Sequence, residues 1–316
     1  MKDKIVFLLK TYSNDFKYAK RLIESFDKYN RDNIKLYIVF PKTDYALLGS
    51  FLKKYETVKY LPEEEFANYV VHKPVNNFTP GYINQQIVKI SFWEQGICEN
   101  YFCLDSDSVF IRTFGIKDFI AEDGYPYTVL HDDNRLYVNP EYYRFHWKSR
   151  AKYLRIIRKC LDIKGKMLTC HGFQIMNSDV LKNLKECFML THGYTYADIM
   201  KIAPYEFSWY TYYFQQSGIA PLHPVGELFV CFHTPKQYIG FVIQGTEVAD
   251  LSRGYIGYII QSNFYEGRDN KYGDLAHMHF PIECKYWRYI VKQLLYSIYY
   301  NFRQDIKKIV CNKIKH

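Results

Sequence analysis

The chain has 316 residues, of which 48% are hydrophobic and 24% charged, a balance that excludes a disordered chain and allows one sizeable core. No run approaches the ~20 apolar residues of a membrane span. The eight cysteines form no CxxC pair, which excludes the usual zinc spacings. The net charge of +9 is unevenly spread: eight basic residues against Asp305 give the segment Lys285–His316 +7 of it. The rest is close to neutral, whereas a nucleic-acid-binding face would need basic residues across the folded body. Aromatic residues make up 19% of the chain, with 32 Tyr, a composition that suits stacking on sugars or bases and equally follows from an AT-rich genome.

The N-terminal half alternates strands and helices. Lys4–Lys10 is a continuous apolar run of the kind found in a central parallel strand, and Phe16–Tyr29 has helical periodicity. Ile34–Phe40 reads as a strand stopped by Pro41, a helix is expected around Tyr45–Tyr55, and a strand over Thr57–Leu61. Gly81–Cys98 reads as a helix with Ile83, Ile87, Ile90 and Ile97 inward, followed by the short apolar strand Tyr101–Leu104. Alternation of this kind implies an α/β layer structure with a mostly parallel sheet.

Beyond Asp107 the pattern loosens. Tyr125–Leu130 reads as a strand, Glu141–Leu161 as a long basic helix and His171–Asn177 as a further strand. Ser178 and Asp179 are expected to cap a helix toward Leu190. Tyr194–Gln216 is aromatic and helical in parts, and Leu228–His233 is a strand candidate. The expected organisation is one domain over 1–280 and a basic, aromatic helical tail over 281–316. The start of the chain shows no signal-peptide pattern, and most cysteines sit in apolar runs, so a cytoplasmic protein with reduced thiols is expected.

The chemistry concentrates at Asp105-Ser106-Asp107. Side chains alternate along a strand, so Asp-x-Asp at a strand end sends two carboxylates to one side, a donor set that suits Mg²⁺ or Mn²⁺ completed by phosphate oxygens and water. A solvated turn is the plainer reading of the same residues. The stretch Tyr-Phe-Cys-Leu-Asp105-Ser-Asp107-Ser-Val-Phe resembles the Asp-x-Asp signature of GT-A-fold glycosyltransferases. The resemblance implies a Rossmann-like mixed sheet flanked by helices, with Asp107 on a metal-bound donor diphosphate and Asp105 holding the ribose or sharing the ion. It further implies a nucleotide-sugar donor, most simply a UDP-sugar, and a glycan or lipid-linked acceptor.

Other segments resemble the same template by order and spacing. Lys10-Thr11-Tyr12 stands where such enzymes begin the nucleotide pocket. Gly81–Lys89 looks like a Gln-Gln-x-x-Lys helix of bacterial proteins from polysaccharide loci, which implies capsule or lipopolysaccharide assembly. It makes Gln86 and Lys89 candidates for the donor, although most lysines are solvated. His171-Gly172-Phe173-Gln174 resembles the strand lining the sugar pocket. Glu206, in Pro204–Tyr210, is the candidate general base of an inverting reaction, or else simply a helix N-terminal acid. His233 is a candidate third metal ligand, and Lys236, Arg253 and Gln261 are weaker candidates for phosphate or acceptor contacts.

Two other classes compete. Asp105-Ser-Asp107-Ser-Val109 also fits a haloacid-dehalogenase-type phosphatase, in which the first Asp attacks phosphate. That motif belongs on the first strand, and Asp132-Asp133 comes too early to supply the further acids. A non-catalytic carbohydrate-binding protein would account for the tyrosines. In the tail, Lys285, Arg288, Lys292, Arg303 and Lys307 fall on one side of a helical wheel. Trp287, Val291, Leu294, Ile298, Phe302 and Ile309 fall on the other, the pattern of an amphipathic helix at the inner leaflet of a membrane, or of one packed on the body.

Overall fold

The computed structural model describes residues 2–130, 148–170, 172–232, 241 and 247–260, together with 291, 295, 298, 299, 302, 303 and 306. The chain divides into two compact units, Met1–Cys231 with Val248–Ile259, and Phe232–Glu247 with Ile260–His316.

The first unit is built on β1 (Asp3–Lys10), α1 (Phe16–Tyr29), β2 (Leu36–Phe40), α2 (Tyr45–Leu52) and β3 (Val58–Pro62). Then come α3 (Pro80–Ser91), β4 (Cys98–Leu104), β5 (Ser108–Phe110), β6 (Tyr127–Val129), α4 (Lys148–Cys160) and β7 (Ile175–Asn177). The remaining elements are α5 (Ser178–Asn183), α6 (Tyr196–Ile202), α7 (Glu206–Ser217), β8 (His223–Val225), β9 (Phe229–Phe232), α8 (Val248–Leu251) and β10 (Gly257–Ile260).

Five strands form the main sheet in the order β3-β2-β1-β4-β7. β1 runs parallel to both β2 and β4, with Leu9 opposite Leu104, and β2 is parallel to β3. β7 closes the edge antiparallel to β4, so the sheet is mixed. Two small sheets, β5-β10-β9 and β6-β8, accompany it.

Both faces of the main sheet are covered, which explains why its central strands read as unbroken apolar runs instead of alternating ones. Along β1, Val6 and Leu8 point into a core shared with Ile83 and Ile87 of α3, Ile157 of α4, Leu181 of α5, Ile199 of α6 and Trp209 of α7. Ile5, Phe7 and Leu9 point the other way, onto Leu22, Ile23 and Phe26 of α1 and Leu48 and Leu52 of α2. Phe7 lies within 5.0–5.8 Å of the rings of five other phenylalanines, mostly edge to face.

Several details differ from the sequence expectations. Helix α3 ends at Ser91 and a 3-10 turn, Phe92–Gln95, carries the chain to Gly96 in a left-handed conformation (φ 67°). The N-cap of α5 is Asn177, whose side chain accepts from the amides of Asp179 and Val180, while Ser178 turns away and donates to the Cys98 carbonyl. The helix expected to reach Leu190 widens into a π turn over Leu184–Met189. Among the described residues no helix is long and apolar enough to cross a membrane. The six described cysteines are free thiols.

Candidate active site

β1 and β4 are neighbours from which the strand order runs outward in opposite directions, toward β2 and β3 on one side and β7 on the other. Such a switch point leaves a crevice at the carboxyl ends of the strands, where open α/β sheets bind ligands. Lys10-Thr11-Tyr12 ends β1 and Asp105-Ser106-Asp107 follows β4, so both expected segments meet at this crevice. The buried Ser106 hydroxyl donates to the buried Thr11 hydroxyl at 2.9 Å and stitches the two loops together. The Asp105 carbonyl accepts from both the amide and the hydroxyl of Ser108, at 3.1 and 2.7 Å, which fixes the turn that carries the acidic pair.

Lys10 is 8% exposed, and its ammonium donates to the Thr11 carbonyl and pairs with Glu63 at 3.0 Å. It therefore fastens the end of β1 to the 3-10 turn Glu63–Phe66. Tyr12 is 47% exposed beside it.

Helix α3 is shaped for this site. Thr79 caps it and Pro80 occupies its first position, where a missing N–H costs nothing. Its apolar residues face the core, yet its second half is buried all round, because the opposite side packs into the site. Gln85 and Lys89, one turn apart, both donate to Oδ1 of Asp105, at 3.1 and 2.7 Å. Gln86 points elsewhere: with its amide nitrogen facing Glu206, it donates to both carboxylate oxygens. Lys89 also stands 3.6 Å from Glu206 and 5.0 Å from the centre of the Phe207 ring.

Glu206, at the start of α7, is buried. Burial pushes its carboxyl pKa up, against the pull of Lys89. For Lys89, burial alone would favour the neutral amine, but Asp105 and Glu206 outweigh it and hold its pKa above the ordinary lysine value. The ammonium lies between the Asp105 and Glu206 carboxyl groups. The Tyr82 hydroxyl reaches toward the Pro204 carbonyl at 3.5 Å, and burial, with the nearby Tyr205 and Glu206, raises its pKa. Arg150 of α4 lies across the Tyr205 ring at 5.2 Å and donates to the Cys170 carbonyl and, at 3.3 Å, to Ser208.

Tyr82 and Arg150 were not singled out from sequence, and Gln85 entered only as the first glutamine of the Gln-Gln-x-x-Lys pattern, without a role. The Gln85/Lys89 spacing was the available signal, since side chains four apart share a helix face. Gly172 adopts φ +97°, a left-handed backbone suited to glycine, just before Gln174, which is buried and bonds both the Val129 backbone and Thr211. Arg253 is exposed and pairs loosely with Asp250. His171, His233, Lys236, Gln261 and Asp132-Asp133 lie outside the described residues.

The donor set can be tested against a divalent ion. Asp107 is 8% exposed, and the Asp105 side chain is 39% exposed with both of its bonds on Oδ1. Two carboxylates at a switch point are hard oxygen donors that fit Mg²⁺ or Mn²⁺ completed by phosphate oxygens and water. Among the described residues no cluster of three or more His, Cys, Asp or Glu side chains is placed to enclose an ion.

No curated protein matches the sequence. Among solved structures, an active-site mutant of LgtC superposes with a TM-score of 0.50 at 10% identity, covering 89% of this chain and 98% of its own. Mouse xyloside xylosyltransferase 1 gives a TM-score of 0.47 at 9% identity, covering 82% and 98%. The bifunctional glycosyltransferase WbbM gives 0.44 at 10% identity, covering 82% and 46%. The mixed α/β architecture is the GT-A fold of such glycosyltransferases. A family model described as a family of unknown function, DUF6492, matches residues 4–220. That match spans the main sheet, the acidic pair and the helices that pack behind it, and the chain belongs to this family.

Proposed function

We propose that the chain is a metal-dependent glycosyltransferase that moves a sugar from a nucleotide-sugar donor, a UDP-sugar in the simplest case, to a glycan or lipid-linked acceptor. The observation that carries this reading is the placement of Asp105 and Asp107 at the switch point between β1 and β4, with Oδ1 of Asp105 held by Gln85 and Lys89. Asp107 and Oδ2 of Asp105 are the oxygens that would hold a divalent cation. Bound there, the cation neutralises the diphosphate leaving group. Thr11 and Tyr12, on the facing loop, border the space for the nucleotide.

The segment Gln85–Lys89 supports a role in capsule or lipopolysaccharide assembly, through its resemblance to bacterial proteins of polysaccharide loci. Association with the cytoplasmic face of a membrane is part of the same proposal. Val291, Leu295, Ile298, Phe302 and Ile306 are helical and exposed, in a segment carrying most of the net positive charge. An anionic bilayer is the partner that such a stripe and charge fit.

Thermal unfolding with UDP, GDP and CDP, each with and without Mn²⁺, tests the assignment. The expected result is a rise in Tm for one nucleotide that requires the metal and disappears in Asp107→Asn. Failure of every nucleotide to shift Tm, together with hydrolysis of an aryl phosphate lost in Asp105→Asn, would replace the transferase by a phosphatase.

A further inference from the structure

Glu206 is 4% exposed, and Lys89, which stands between it and Asp105, is 2% exposed. A general base must come within hydrogen-bond reach of the proton it removes. Here the end of the Gln86 side chain lies against both carboxyl oxygens and one of them is 3.6 Å from the Lys89 ammonium, so Glu206 is enclosed by groups from inside the protein. Asp105 is the opposite case: its side chain is 39% exposed and only Oδ1 is engaged. The first turn of α7 also places the Phe207 ring 5.0 Å from the same ammonium, so α7 contacts Lys89 through two successive residues.

We propose that Glu206 is a positioning residue: with Gln86 it holds Lys89, and Lys89 with Gln85 holds Asp105 so that Oδ1 faces inward and Oδ2 faces the crevice. Asp105 and Glu206 contact the same ammonium, at 2.7 and 3.6 Å, so a change at Glu206 reaches Asp105 through the position of Lys89. The relay rests on the transferase reading only for the identity of what Asp105 binds. The contacts themselves are independent of it.

The test is a double-mutant cycle on the full chain, with Mn²⁺ alone as the probe and free ion counted by its paramagnetic resonance signal. Glu206→Gln keeps the size of the side chain and removes its charge. We expect it to weaken Mn²⁺ binding about tenfold in the wild-type background, within the range seen for residues of one network, and to change it little in Lys89→Met. Equal weakening in both backgrounds overturns the relay. Unchanged Mn²⁺ affinity in Glu206→Gln, with turnover lost, also overturns it and restores Glu206 as the base. If the wild type binds no Mn²⁺ in the absence of a nucleotide, the relay is decided by thermal unfolding of the same four proteins, and the transferase reading stands or falls with the nucleotide screen above. Non-additive Tm changes support it and additive ones overturn it.

Discussion

Lys89 is the buried cation of the site, 2.7 Å from Asp105 and 3.6 Å from Glu206. Its position four after Gln85 and two after Ile87 places it off the apolar face, and the usual fate of such a lysine is to be solvated. It is buried because the side of α3 away from the core is covered by the site, a fact that depends on β4 and α7 arriving there from elsewhere in the chain. The apolar strand that ends at Leu104 was legible, whereas the turn at Ser106 and Asp107, which replaces the strand alternation expected for the acidic pair, was not. The contact of Glu206 with Lys89 had no local signal either. Asp198 illustrates a more local effect. It completes a capping box at the start of α6, accepting from both the amide and the hydroxyl of Thr195, and these bonds lower its pKa below the ordinary value of 3.8. A carboxylate depressed in this way stabilises the fold above its unfolded pKa and loses that contribution as pH falls through the folded one. Asp198→Ala should therefore cost about 1 kcal/mol at neutral pH, a typical loss for a cap. Thermal unfolding of both proteins across pH should show the gap closing below pH 3.8. A gap that persists undiminished in acid would assign the loss to something other than the carboxylate.

At the level of elements, the strands that carry unbroken apolar runs and the helix with sharp periodicity were readable to within a residue or two. β1, α1 and β2 pack on one another, so local pattern and this part of the tertiary context agree, although β4 and the later helices complete the burial of β1. Pairing over long separations was not readable. β7 turns antiparallel against β4, and β10 joins β5 from more than a hundred residues away, with Gly257 opposite Phe110. No local signal specifies such partners. Gly257 shows what this pairing demands. A Cβ there would stand 2.1 Å from the Phe229 ring and 2.5 Å from the Val109 carbonyl, so the three strands approach more closely than any side chain permits. The ring belongs to the core cluster around Phe102 and Phe110 and cannot move freely. Gly257→Ala should lower stability by about 1–3 kcal/mol through overpacking. The measurement is the urea midpoint at constant m-value. An unchanged midpoint would mean that the small sheet relaxes without affecting the core behind the acidic pair.

Across the whole molecule, the distribution of charge and apolar surface distinguishes the C-terminal segment from the body. The segment from Lys285 to His316 carries +7 of the +9 net charge, and Leu295, Ile298 and Phe302 are each more than 60% exposed on one helical stripe. Large apolar side chains left in water at a spacing of three and four residues suit a partner, and the proposal that this partner is an anionic bilayer rests on the lysines and arginines of the same segment. Two forces should contribute, and they can be separated. Each basic residue near an anionic surface adds about 1 kcal/mol that salt screens, whereas burial of Leu and Phe in the acyl boundary is insensitive to salt. The 316-residue chain should therefore sediment with vesicles containing anionic phospholipid and not with purely zwitterionic ones. Leu295→Glu with Phe302→Glu, at exposed positions that leave the core untouched, should abolish that binding even at low ionic strength. High salt should weaken wild-type binding without eliminating it. Binding that survives the double substitution and vanishes in salt would reduce the association to charge alone. Absence of binding to either vesicle would remove the membrane from the proposal and leave the apolar stripe to be covered by protein.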